Sequence, residues 1–183
     1  MQVFQLVTVM GIVLFSLVSC SVNQTAKNES ANSVSKMSAR DKAVAEGVFN
    51  RINSERTRAG KKDLQAHQGL NFLAQKQANF LSKNSKNGQA STSGSINRSR
   101  YANLRYNIEN VTELTHSTGL DDAAPDIVNA WMSSSEHRRT LFQSWNRVGV
   151  GIAKGPYGRT YATVLVGFSS SGVPRSVLPT SFQ

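Results

Sequence analysis

The chain is short of three things, and each shortage excludes a class of protein. It holds a single cysteine, Cys20, in 183 residues. No intramolecular disulfide is available, and no zinc cluster can be assembled from thiolates. Acidic residues are outnumbered, with 11 Asp and Glu against 21 Lys and Arg, for a formal charge of +10. That balance suits a negatively charged partner but does not choose between nucleic acid, anionic lipid and acidic wall polymer. Aromatic residues make up only 8%. They do not interleave the basic stretches around Arg51–Lys62 and Arg98–Arg105 as they would on an RNA-recognition strand. The scattered cations read as a solvated surface, and no nucleic-acid partner is expected. No internal repeat is visible, and the Gly-x-Ser-x-Gly turn of a serine hydrolase is missing.

One long apolar run is present. Residues 3–19, "VFQLVTVMGIVLFSLVS", carry no charge and end on Cys20. Leu17, Val18 and Ser19 directly precede the cysteine, and this box resembles the bacterial lipoprotein signal. The resemblance implies cleavage before Cys20 and acyl chains on its thiol and amine. The segment that follows, "SVNQTAKNESANSVSKMSA", is polar and poor in large apolar groups, and reads as a tether. The organisation expected is a signal peptide over 1–19, a lipidated Cys20 with linker over 20–39, one domain over 40–170, and a tail over 171–183. The address is the outer or periplasmic side of a cell envelope. By analogy with lipoprotein sorting, Ser21 favours an outer membrane where one exists.

Within the domain, apolar spacing predicts two helices. Val44, Val48, Ile52 and Glu55 recur at helical intervals up to a stop at Gly60. Leu70, Leu73, Ala74, Ala78 and Leu81 do the same, ending near Gly88. Residues 84–99, rich in Ser, Gly and Asn, read as a loop, and "YNIENVTEL" as an extended piece. Pro125 marks the start of a further helix whose inward face holds Ile127, Val128, Trp131 and Met132. Ser133 and Glu136 have the spacing of a capping box for the next helix. His67 is expected to be exposed. Two β runs close the domain, separated by the Gly/Pro turn "AKGPYGR". In the first, Val148, Val150 and Ile152 alternate with Gly149, Gly151 and Ala153. The second, "TYATVLVGF", is apolar on both faces and belongs inside a sheet covered on each side. The fold class is α+β: a three-layer α-β-α sandwich around a central antiparallel sheet.

These pieces, in this order, resemble the CAP superfamily of cysteine-rich secretory, antigen 5 and pathogenesis-related proteins, in its disulfide-free bacterial branch. "INSERTRAG" supplies Asn53, Arg56 and Gly60 of the family's Asn-x-x-Arg-x-x-x-Gly helix. "LQAHQGLNFLAQKQANFL" matches the next element, "NIENV" the Glu-Asn segment, "AWMSSSEHRRTLF" the tryptophan box, and "RVGVGIA" and "YATVLVGF" the closing strands. The likeness spans roughly residues 45–168. It implies the sandwich fold and a cleft with two histidines and one or two acids that takes a divalent metal such as zinc. On this chain the acid falls on Glu109 and one histidine on His137. The other histidine has no counterpart: Gln89 stands nearest its place, and Ser134 replaces a second acid. His116 is a further candidate for the cleft.

Zinc wants at least three protein ligands, so with His137 and Glu109 alone no tight metal site is expected. Glu109 lies between Ile108 and Val111, where an unpaired charge is costly to bury, and pairing with His137 would answer that. Trp131 shares the apolar face of its helix and reads as core. Arg138 and Arg139 read as a solvated face that an anionic partner can also use. Two functions stay open. One is a lipid-anchored, non-enzymatic module that binds an anionic or lipidic partner in the bacterial envelope. The other is a hydrolase, either metal-dependent or with Glu109 as general base and His137 as proton shuttle or ligand.

Overall fold

A computed structural model describes residues 37–85 and 94–170. The signal segment, Cys20, nearly all of the linker, position 89 and the tail lie outside the described residues.

Helix α1 spans Ala39–Arg58 and buries Ala45, Val48, Ile52 and Arg56, one side chain per turn. The Ser38 hydroxyl caps it by accepting from the Asp41 N–H at 3.0 Å. Gly60, just past its end, has φ +67, a backbone state that glycine enters without strain. Arg56 is 1% exposed and is surrounded by backbone carbonyls. Its Nε donates to Lys62 O at 2.9 Å, and Nη1 to Leu141 O and to Gln143 O at 3.0 Å. Nη2 reaches Trp145 O at 3.5 Å. Asn53 holds the same corner by exchanging two hydrogen bonds with the Leu64 backbone.

Helix α2, Gln68–Asn84, follows the two-residue strand β1, Gln65–Ala66. Its cap is His67, whose imidazole accepts from the Leu70 N–H at 3.4 Å. The ring is half-buried against Tyr106, and burial, with Arg147 nearby, pushes its pKa down to about 4. His67 is therefore a neutral structural cap, not the exposed side chain that its place before a helix suggested.

The next helix corrects the sequence reading. Residues 95–99, expected to be loop, open α3, Ser95–Tyr106. Strand β2, Glu109–Thr118, comes next, then α4, Ala123–Ser133, and α5, Ser135–Leu141. The α5 cap also sits one residue later than expected. Ser134, not Ser133, has the extended backbone, so its hydroxyl accepts from His137 N–H at 3.4 Å and Glu136 is not the capping-box partner. Strands β3, Arg147–Lys154, and β4, Thr160–Phe168, form the closing hairpin.

The sheet order is β1-β3-β4-β2. β4 is central, as its two apolar faces require. β2 and β3 run antiparallel to it, but β1 pairs parallel with β3, so the sheet is mixed and not wholly antiparallel. Val148, Val150, Ile152, Ala162, Val164 and Val166 face α1, α4 and Leu141 of α5. Leu165 faces α2 and α3 on the other side, among Leu70, Leu73, Ala74 and Ala102. These are the three layers of an α-β-α sandwich.

Beyond β1 the outer edge of β3 is completed by α2. The Val150 N–H donates to Asn71 Oδ1 at 3.0 Å and the Ile152 N–H to Gln75 Oε1 at 3.0 Å, while Gln75 Nε2 returns a 2.7 Å bond to Ile152 O. The match is geometric: four helical residues advance about 6 Å and two strand residues about 6.6 Å. It demands close approach. A Cβ on Gly151 would collide with the backbone carbonyl of Ala74, and one on Gly149 with that of Leu70. Gly151→Ala should therefore cost about 3 kcal/mol of stability. Denaturant unfolding that shows a loss under about 1 kcal/mol would refute this account of the β3–α2 contact.

Candidate functional site

The site is built on the one strand edge that α2 does not cover. Cross-strand pairing runs regularly from Thr112↔Val166 to Thr118↔Thr160, but Glu109 pairs with Phe168, so one extra residue is inserted between Glu109 and Thr112. Asn110 sits there with φ 53, a left-handed state that asparagine tolerates. Cross-strand partners share a face. Glu109 therefore lies on the Val166 side of the sheet with Leu114 and His116, whereas Glu113 lies on the Leu165 side toward α3.

Along this outer edge runs a groove of about 770 Å³, with α3 as one wall and α5 as the other. α3 contributes Ser99, Arg100 and Asn103, β2 contributes Asn110 and Glu113, and α5 contributes Glu136 and His137. Beyond the groove the edge is closed. Trp131 Nε1 donates to Thr115 O at 3.4 Å and Arg159 Nη2 to Ser117 O at 3.3 Å.

His137 thus lines the groove, its position fixed by the Ser134 cap on its own N–H. Glu109 is half-buried at the start of β2 and does not line it. Among the described residues no ion pair joins the two. His116 has a carboxylate of its own, with Nε2 3.7 Å from Asp126 Oδ2 on α4. Burial pushes the His116 pKa down, Asp126 opposes that, and Arg159 and His137 add to the fall.

The strongest polar contact at the groove has no counterpart in the sequence reading. Arg98 grips Glu113 with two prongs, Nε–Oε2 at 2.5 Å and Nη2–Oε1 at 2.6 Å. The carboxylate side chain is 2% exposed and the arginine 15%. Burial pushes the Glu113 carboxyl above its ordinary pKa, and the hydrogen bonds and charge of Arg98 oppose the rise. The only sequence signal for Glu113 is a carboxylate beside an apolar Leu114 in an extended run. Arg98 falls in the stretch that reads as loop. Arg98 engages both oxygens of Glu113 and so favours its ionised form.

Among the described residues, no three His, Cys, Asp or Glu side chains converge on a point that could hold a metal ion. His137 is the one imidazole on the groove lining, and His116 is turned to Asp126.

A model of the family described as the cysteine-rich secretory protein family, CAP, matches residues 49–167. Among solved structures, an outer surface protein from Borrelia burgdorferi superposes with a TM-score of 0.56 at 17% identity, covering 73% of this chain and 96% of that one. A cysteine-rich secretory protein from Staphylococcus aureus gives 0.49 at 18% identity, over 68% of this chain and 38% of that chain. An extracellular protein containing an SCP domain from Bacillus anthracis gives 0.49 at 18%, over 69% and 41%. No curated protein matches the sequence. At such identities the likeness is one of fold.

The Arg98–Glu113 contact makes a sharp energetic prediction. Arg98→Met leaves a carboxylate buried and alone and should cost about 3 kcal/mol, whereas Arg98→Met with Glu113→Leu should recover most of that loss. Urea unfolding of the two single variants and the double variant completes the cycle. A coupling below about 0.5 kcal/mol would show that the pair is not what fixes α3 to β2.

Proposed function

Because the chain belongs to the cysteine-rich secretory protein, or CAP, family, we propose that it is a lipid-anchored binding module of a bacterial cell envelope and not an enzyme. Cys20 carries the anchor, the linker spaces the domain from the membrane, and the groove along β2 receives an anionic or lipidic envelope partner. The observation that carries this reading is the two-pronged Arg98–Glu113 pair. The buried carboxylate of the groove is committed to holding its wall, so it is not a free general base. Apart from Glu136 beside His137, the rest of the lining offers recognition chemistry: the Ser99 hydroxyl, the amides of Asn103 and Asn110, the Arg100 guanidinium and His137. Hydroxyls and amides exchange hydrogen bonds with a polar ligand, and the cation favours one that carries negative charge.

The hydrolase reading keeps one observation in its favour. Asp126 lies close enough to His116 to orient it, and His116 lies within electrostatic reach of His137. For a proton relay, however, a nucleophile or activated water must sit beside these groups, and among the described residues Glu109 makes no ion pair with either histidine.

Two experiments test the proposal. Expression of the Cys20→Ala variant with labelled fatty acid should give an unlabelled protein, and retained label would overturn the anchor. For the groove, soluble fragments of an acidic wall polymer are titrated into the protein while backbone amide resonances are followed. Saturable shifts at Arg100, Asn103, Asn110 and His137, lost in Arg100→Ser with His137→Ala and without any cleavage of the polymer, are the expected result. Cleavage that disappears in Glu109→Gln or His137→Ala would replace binding with hydrolysis as the function.

A further inference from the structure

The basic residues that look scattered along the chain are segregated in space. From Leu64 to Ile108 the sequence contains no aspartate or glutamate, yet it carries Lys76, Lys83, Lys86, Arg98, Arg100 and Arg105. This stretch contains α2 and α3, the helices that together cover one face of the sheet. The carboxylates of the folded domain lie on α1, on α4 and α5 with their flanking loops, and at Glu109 and Glu113 of β2. Glu113 is neutralised by Arg98. One outer layer of the sandwich is therefore purely cationic, while the other mixes both signs.

That same layer exposes large apolar side chains where a solvated basic face has no use for them. Ile96 is 77% exposed and Leu104 75%, and on α2 Phe80 is 51% exposed. The spacing brings these groups together with the cations. Ile96, Arg100 and Leu104 recur every four residues along one face of α3. Lys76, Phe80 and Lys83 make a comparable stripe on α2. The remaining arginine of α3, Arg105, rests over the Tyr101 ring at 5.8 Å and leaves its charge unneutralised by any acid on the helix.

We propose that the α2–α3 face docks on an anionic lipid bilayer. The cations meet the phosphates of the surface, and Phe80, Ile96 and Leu104 enter the boundary between headgroups and acyl chains. Charge complementarity selects the anionic surface. The separated, protruding apolar groups select a deformable bilayer over a soluble acidic protein or polymer, which would satisfy the cations and leave those groups in water. Ile96 and Arg100 also line the groove, so the two surfaces share an edge, whereas Phe80, Leu104 and Arg105 belong to the outward face alone.

The test uses the chain from residue 20 onward, as it stands after signal removal, with Cys20→Ser, so that a polarity-sensitive fluorophore can be placed on a single new cysteine at Ile96→Cys, at Leu104→Cys, or at Ser54→Cys on α1 as the control. Each is mixed with vesicles of phosphatidylcholine alone or with about 30% phosphatidylglycerol, the anionic lipid supplying the surface potential. Labels at 96 and 104 should shift to the blue and be quenched by spin-labelled lipids on the anionic vesicles only. The label at 54 should do neither, and about 0.5 M salt should reverse the effect. Arg100→Ser with Arg105→Ser should weaken partitioning to the anionic vesicles by roughly tenfold or more. Equal responses on both vesicle types, a response at 54 as large as at 96, or a full response to soluble polyphosphate without vesicles would overturn the proposal.

Discussion

A guanidinium buried without a carboxylate in contact is the constraint around which this fold closes. Arg56 cannot lose its proton within the range where proteins fold, so its charge has to be solvated by the chain. Burial pushes its pKa down, and the field of Asp63 only opposes that. The solvation comes from carbonyls of two separate segments: the loop after α1, and the turn that leads from α5 into β3. Neither segment has regular structure to hold it in place. The cation orders both, sets where β3 begins, and through α5 sets where His137 stands beside the groove. Asn53, one turn earlier, does the same for Leu64 with an amide in place of a charge. The Asn-x-x-Arg pair that resembles a family signature thus works as scaffold, and the groove inherits its geometry from it.

The groove is a product of edge geometry. An inserted residue at the start of β2 bends the strand, α3 and α5 flank it from opposite sides of the sheet, and the Arg98–Glu113 pair fastens one wall. A site made this way is open and polar, suited to a ligand that lies along the surface. Its α3 wall is also the inner side of the cationic, apolar-tipped face, so Arg100 stands where the two surfaces meet.

Much of this architecture was legible in the sequence because large elements carry strong periods. The 3.6-residue spacing of Val48 and Ile52, or of Leu70, Ala74 and Ala78, and the two-sided apolar run of β4 admit few alternatives. The α3 helix escaped because it has no such period: Ala102 is its one buried residue, and its outer face carries Ile96 and Leu104. Strand β1 has too few residues to show any period, and its parallel pairing followed it out of sight. At the site, His137 was legible from its box, but the acids were not. Glu109 and Glu113 are four residues apart and would share a face in a regular strand; the inserted residue sends them to opposite faces. Arg98 binds Glu113 from a helix that the sequence concealed. His67 looked exposed because a capping role and a ring contact with Tyr106 depend on three-dimensional neighbours.

The completion of β3 by the amides of α2 has a consequence for how copies of this domain meet one another. Asn71 and Gln75 occupy the hydrogen-bonding positions that an incoming strand would use, and Trp131 and Arg159 do the same for the far half of β2. Proteins confined to a surface collide far more often than the same number free in solution, and open strand edges would then seed irreversible stacking. Here β3 and the far half of β2 are already spoken for, so copies pressed together find little free backbone along those stretches to extend.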